Sequence, residues 1–137
     1  MNKLPPEQLL EKFENQTLEK SLWTHEAHLT IAFMYLKKYT PEETIILLRC
    51  GIISYNNAVG TINSLNRGYH ETMTMFWIWV VASYIHQYPE NKIEDFISSQ
   101  FASKDLPFQY YSYERMFSVE ARAKWITPDI RNMSTLE

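Results

Sequence analysis

The feature that most constrains the fold is an apolar run in the middle of the chain, from Met73 to Ile85. Its residues are apolar on nearly every side of a helical wheel, and Pro89 ends the pattern soon afterwards. A helix of this kind must be covered on all sides by other elements. About thirteen apolar residues are too few to span a bilayer, so the run predicts a buried central helix and no membrane partner.

Apolar residues elsewhere also recur at helical spacing, and no stretch alternates convincingly with the period of two that marks a strand. The best-marked helix start is at Thr40, where Pro41 takes the first helical position and Glu43 completes a capping box. The helices predicted besides the central one span about 5–18, 24–39, 40–55, 93–101 and 118–125.

A chain of 137 residues fits one domain with a hydrophobic core, and a hydrophobic content of 45% is typical of a folded globule. Helices of these lengths with short connections predict an all-α fold. We expect an up-and-down bundle of five to six helices, forming a single domain over residues 1–137. The formal net charge of -3 and the lack of a basic run argue against nucleic acid as a partner.

The single cysteine, Cys50, cannot form an internal disulfide, and the first seven residues lack the apolar core of a signal peptide. These observations predict a cytoplasmic location. The neighbours of Cys50 include Leu47, Leu48, Ile52 and Ile53, so we expect a buried thiol without a nucleophilic role.

A candidate site follows from the predicted topology. If consecutive helices are antiparallel, the second and fourth helices start at the same end of the bundle. His25 and His28 lie in the first turns of one of these helices, and His70 and Glu71 lie in the first turn of the other. A long polar loop, predicted over 56–68, and the tyrosine-rich segment after the fifth helix belong to this end too. His86 is excluded, because it lies roughly 24 Å along the helix from His70.

The chemistry of this cluster depends on neutral imidazole. Helix N-termini disfavour the imidazolium form and stabilise the carboxylate of Glu71. His25, His28 and His70 are therefore candidate ligands for a divalent metal such as Zn²⁺, with one coordination position left for substrate. His70 and Glu71 are also the candidate acid or base for hydrolytic or isomerising chemistry.

Four further residues are candidate ligand contacts around the cluster: Thr74, Arg67, Tyr110 and Tyr111. Arginine and tyrosine side chains suit an anionic or carbonyl-bearing molecule. The resulting hypothesis is a small-molecule-binding protein with a histidine and glutamate pocket at one end of the bundle, with or without a metal.

Two alternatives stay open from the sequence. The histidines could form a structural hydrogen-bond network in an accessory module, with His70 and Glu71 serving as a helix cap. The high aromatic content of 15% also allows a homodimer built on exposed aromatic surface. Neither the repeated Glu-x-x-His of di-iron bundles nor the His-Glu-x-x-His of zincins occurs in the sequence.

Three segments together resemble a family of small bacterial all-helical proteins: residues 24–29, which read Thr-His-Glu-Ala-His-Leu, residues 68–74, which read Gly-Tyr-His-Glu-Thr-Met-Thr, and residues 118–129 with Ala121, Arg122, Pro128 and Asp129. The most specific piece runs from Tyr69 to Thr74. The resemblance covers nearly the whole chain and implies that His25, His28, His70 and Glu71 belong to the family pattern. It implies no particular activity.

Overall fold

The computed structural model describes residues 3–136, and within them it is all-helical, as predicted. The single domain predicted over residues 1–137 also includes Met1, Asn2 and Glu137, and these three lie outside the described residues. The longer helices are α1 (Pro6–Glu14), α2 (His25–Lys38), α3 (Pro41–Val59) and α4 (Glu71–Gln87). The short ones are α5 (Ile93–Ile97), α6 (Tyr113–Met116) and α7 (Val119–Ala123).

Helix α4 is the central element, as its apolar run predicts. It packs against α2, α3 and α7, and Phe76, Val80 and Val81 are completely buried. None of the helices in residues 3–136 has the length and apolarity needed to cross a membrane. The N-terminal halves of α2 and α4 lie side by side, since the His25 ring meets the edge of Trp77 with centroids 5.0 Å apart. This arrangement agrees with the expected common end for the two helix starts.

Helix α3 begins as predicted and ends later than predicted. Thr40 Oγ1 accepts from the Glu43 backbone N–H, and the Glu43 carboxylate accepts from the Thr40 N–H, which completes the capping box. The helix continues to Val59, and Gly60 ends it with a positive φ of 81°. The predicted loop over 56–68 is therefore wrong at its start, because Asn56 and Asn57 tolerate a helical backbone that is capped further on.

The C-terminal third differs most from the prediction. Five to six helices were expected, and the described residues contain seven, because this part divides into single helical turns. Short 3-10 turns at Lys20–Leu22, Gln100–Ala102 and Leu106–Gln109 add to the count of elements. The predicted helix over 93–101 stops at Ile97, where Ser98 and Ser99 bond back to the backbone of the last turn.

Residues 116–126 lie across the start of α4 and form hydrogen bonds with residues 68–72. Thr72 Oγ1 donates to the Lys124 carbonyl at 2.7 Å and accepts from the Ile126 N–H at 3.1 Å. Arg122 donates to the Gly68 carbonyl at 2.9 Å. The N-terminal end of α4 is thus hydrogen-bonded to a segment that lies about fifty residues later in the chain.

Candidate ligand cavity

A cavity of about 430 Å³ lies between α2, α3, α4 and the turns that follow α5. We call it the histidine-lined cavity. Its lining residues are His25, His28, Leu29, Ala32, Leu48, Ile52, Met73, Thr74, Trp77, Lys104, Phe108 and Phe117. Most of these side chains are aliphatic or aromatic, and a volume of this size falls within the usual range of small-molecule sites. Lys104 and Phe117 are exposed, so they mark where the cavity meets solvent.

His28 is held rigidly at the wall of this cavity. Its Nδ1 lies 2.7 Å from the Thr24 carbonyl oxygen, and its ring packs on Trp23 with centroids 3.7 Å apart. A carbonyl oxygen can only accept, so Nδ1 must carry the proton and donate it. Burial is the main cause that lowers the pKa of His28 to about 4, and nearby His25 adds to it. The ring is therefore neutral near pH 7, and its Nε2 is an acceptor.

His25 donates through its other ring nitrogen. Its Nε2 lies 2.9 Å from the Ala102 carbonyl oxygen and must donate to it. The ring is wedged between this carbonyl and the edge of Trp77. His25 also lines a second cavity, of about 560 Å³, between the N-terminal segment, α2 and α5.

His25 Nδ1 and His28 Nε2 accept no hydrogen bond from any residue in the range 3–136. Within that range, Thr44 Oγ1 is the one fully buried side-chain polar atom without a partner. The two histidine nitrogens therefore keep some accessible surface. Of the two cavities described, His28 lines only the histidine-lined one, so we assign the accessible surface of its Nε2 to that cavity. The cavity thus contains one fixed acceptor, His28 Nε2, in a lining that is mostly apolar.

Besides the histidines and the indole N–H of Trp77, two polar side chains line the histidine-lined cavity. Lys104 is exposed and makes no ion pair in the described part of the chain. Thr74, a predicted ligand contact, is present here, and its hydroxyl donates to the His70 carbonyl at 2.8 Å. Thr74 can therefore offer a ligand only the lone pairs of its oxygen.

The structure does not bring His70 to the cavity with His25 and His28. His70 is the N-cap of α4, where its Nδ1 accepts from the Met73 N–H at 3.1 Å. Its Nε2 donates to the Met116 carbonyl at 2.7 Å. Burial is the main cause that lowers the pKa of His70, so the ring is neutral near pH 7. Both nitrogens are occupied, which leaves neither for a metal or a substrate.

Glu71 is likewise engaged away from the cavity. Arg49 on α3 forms a bidentate ion pair with its carboxylate, with Arg49 Nε 3.0 Å from Oε1. The Tyr69 hydroxyl donates to the same Oε1 at 2.7 Å. The Arg49 hydrogen bonds are the main cause that lowers the pKa of Glu71. A carboxylate held in this way is a poor general acid or base, and it ties α3 to the start of α4.

The remaining candidate contacts are also elsewhere. Arg67 is exposed in the loop before α4, where its backbone pairs with Ser64. Tyr110 and Tyr111 are core residues, not cavity residues, with 1% and 0% of their surface exposed. The Tyr111 hydroxyl donates to the Ile126 carbonyl at 2.6 Å. Their positions correct the prediction, because a tyrosine-rich segment looks the same in sequence whether it lines a pocket or fills a core.

No three histidine, cysteine, aspartate or glutamate side chains of residues 3–136 are placed so that they could hold a metal ion. His70 is separated from His25 and His28 by its own hydrogen bonds, so the predicted three-histidine ligand set does not assemble. Cys50 is exposed, contrary to the expectation of a buried thiol, because it lies on the outer face of α3.

Several residues of the histidine-lined cavity were not predicted from the sequence. Lys104 and Phe108 lie in turns without helical periodicity, so no sequence pattern marks them as cavity residues. Trp77 was assigned to the core of the central helix, and it does lie there while also presenting an edge to His25.

No protein-family model matches the sequence, and neither a curated protein nor a solved structure matches it. The resemblance to small bacterial all-helical proteins therefore stays a prediction. Of the residues that carry it, His25 and His28 line the cavity, whereas His70, Glu71 and Arg122 hold the start of α4.

Proposed function

We propose that this protein binds a small, largely apolar molecule in the histidine-lined cavity. The observation that carries the proposal is the fixed, neutral imidazole of His28, whose acceptor Nε2 has no partner within the described residues and lines a mostly apolar cavity. A ligand that donates a hydrogen bond to this nitrogen gains that bond while it buries its own apolar surface against the lining.

Binding is better supported than catalysis. The groups predicted to act as acid and base, His70 and Glu71, are both committed to structural contacts. The Thr74 hydroxyl already donates to a backbone carbonyl, so it is not poised as a nucleophile. His28 Nε2 is a weak base because burial lowers the pKa of its ring to about 4. Metal binding is not part of this proposal.

The alternative of a structural network has specific support at one place. His70, Glu71, Thr72 and Arg122 form such a network around the start of α4. The network is separate from the lining of the histidine-lined cavity, so the two roles can coexist in one molecule. A cytoplasmic location is also proposed, supported by the single cysteine of the sequence.

The proposal is tested by filling the cavity. Ala32 is buried and lines it, whereas Ala123 in α7 is exposed. Binding of 2-naphthol and 2-naphthoate is measured by isothermal titration calorimetry for the wild type, Ala32→Phe and Ala123→Phe. We expect saturable one-to-one binding of at least one compound to the wild type and to Ala123→Phe, and at least about a tenfold loss in Ala32→Phe.

A thermal melt first establishes that Ala32→Phe is folded, and Ile52→Phe, at another lining position, replaces it if it is not. Absence of saturable binding to the wild type would reject the proposal. Equal binding to the filled and unfilled proteins would also reject it, because the compounds would then occupy another surface.

A further inference from the structure

The histidine-lined cavity also indicates which end of a ligand goes where, and this inference rests on the function proposed above. At His28 the lining offers an acceptor. The one proton of the neutral His28 ring is donated to the Thr24 carbonyl, so His28 Nε2 cannot donate. A carbonyl or carboxylate oxygen placed against His28 Nε2 would be repelled, because both atoms carry lone pairs. A hydroxyl or N–H group would instead find an acceptor there.

At the mouth of the cavity, where it meets solvent, Lys104 favours a ligand group that accepts hydrogen bonds or carries a negative charge. Lys104 is the one charged side chain of the lining, and no aspartate or glutamate lines the cavity with it. Its ammonium group can only donate, and it has no acidic partner among residues 3–136. A negative group on a ligand would gain a charge-assisted hydrogen bond there. Because Lys104 is exposed, this anion need not be fully desolvated.

Apart from the Thr74 hydroxyl and the Trp77 indole N–H, the rest of the lining is apolar. Trp77 and Phe108 supply aromatic surface, and Leu48 and Ile52 of α3 supply aliphatic surface. Aromatic rings gain from stacked or edge contacts with such a lining. The volume of about 430 Å³ accommodates a two-ring compound but not a nucleotide-sized polar molecule without unpaired polar groups.

We propose that the ligand is an amphipathic hydroxy acid, with a hydroxyl group donating to His28 Nε2 and an anionic group paired with Lys104 at the mouth. The two polar ends are separated by an aromatic or similarly broad apolar body that contacts Trp77 and Phe108. This assignment separates the roles of the residues: His28 selects a donor, and Lys104 selects a negative charge.

Three probes with the same naphthalene ring system separate these contributions. The compound 6-hydroxy-2-naphthoate carries both groups, 2-naphthoate lacks the hydroxyl, and 2-naphthol lacks the carboxylate. We expect wild-type protein to bind 6-hydroxy-2-naphthoate about fivefold more tightly than 2-naphthoate and about tenfold more tightly than 2-naphthol, in keeping with one neutral and one charge-assisted hydrogen bond.

Variants assign each preference to its residue. Lys104→Met should abolish the preference for the carboxylate, whereas Lys104→Arg should keep it, and the exposed Lys20→Met outside the cavity is the matched control. His28→Leu should abolish the preference for the hydroxyl and leave the preference for the carboxylate intact. If His28→Leu does not fold, the ¹⁵N resonance of His28 Nε2 in wild-type protein provides the second readout. It should shift toward the hydrogen-bonded position with 6-hydroxy-2-naphthoate and not with 2-naphthoate.

The outcomes distinguish this inference from the function on which it rests. If all three probes bind the wild type equally, the inference is wrong and the binding function stands. If the carboxylate preference survives in Lys104→Met, the anion lies elsewhere and the inference is again wrong. If no probe binds, the proposed function itself is rejected.

Discussion

His28, a half-buried histidine of α2, makes a defined contribution to the pH dependence of folding. Burial lowers the pKa of His28 from its ordinary value of 6.5 to about 4 in the folded protein. Between these two values the unfolded chain binds a proton that the folded protein does not. The stabilisation is therefore complete above pH 6.5 and is lost as the pH falls toward 4.

The size of the effect follows from the gap between the two pKa values. The full gap of about 2.5 corresponds to about 3 kcal/mol in the free energy of unfolding, and the part expressed between pH 7 and pH 5 is about 2 kcal/mol. This interval lies above the range where Glu71 loses its charge, because the pKa of that carboxyl is lowered. His70 adds a loss of the same sign, since its pKa is lowered too.

The assay is urea unfolding followed by circular dichroism at pH 7, 6 and 5, for the wild type, His28→Gln and His86→Gln. His86 is exposed near the end of α4 and is the matched control. We expect His28→Gln to show a decrease between pH 7 and pH 5 that is about 2 kcal/mol smaller than in the wild type, whatever its absolute stability. His86→Gln should retain the wild-type decrease. An unchanged decrease in His28→Gln would refute the argument from burial.

Two further predictions concern stability. Thr44 is completely buried and its hydroxyl has no partner among the described residues, so Thr44→Val should raise the free energy of unfolding by about 1 kcal/mol in urea denaturation. A decrease would show that a water satisfies the hydroxyl. Gly60 and Gly68 share a φ of 81°, but an added Cβ meets nothing at Gly60 and lies 2.4 Å from the Ile62 carbonyl oxygen at Gly68. Gly60→Ala should therefore cost about 1 kcal/mol and Gly68→Ala at least twice as much, and equal thermal shifts would contradict the assigned crowding.

The parts of the fold that were predictable depend on local pattern. The all-helical class follows from the 3.6-residue period, and the start of α3 follows from the spacing of Thr40, Pro41 and Glu43. The end of α3 was missed because Asn56 and Asn57 are frequent in loops but are tolerated in a helix that has Gly60 as its cap. The short turns of the C-terminal third are set by long-range contacts, which no local pattern encodes.

The candidate site was predictable only in part, and for a similar reason. His25, His28 and Thr74 were correctly placed near one another because their helices start at one end. His70 lies at that end too, but its side chain is turned to the Met116 carbonyl, a partner 46 residues away. The direction of a side chain at a helix start is decided by such partners. The role of Arg49 as the partner of Glu71 was missed for the same reason.

The segment that crosses the start of α4 has a consequence for how the protein is made. His70, Thr72 and the Gly68 carbonyl all depend on partners between Met116 and Ile126. On a ribosome these partners are synthesised after α4. Until they emerge, the central helix lacks these tertiary contacts at its N-terminal turn and is uncovered on the side of α7. During that interval the apolar run is covered by α2 and α3, which precede it in the chain.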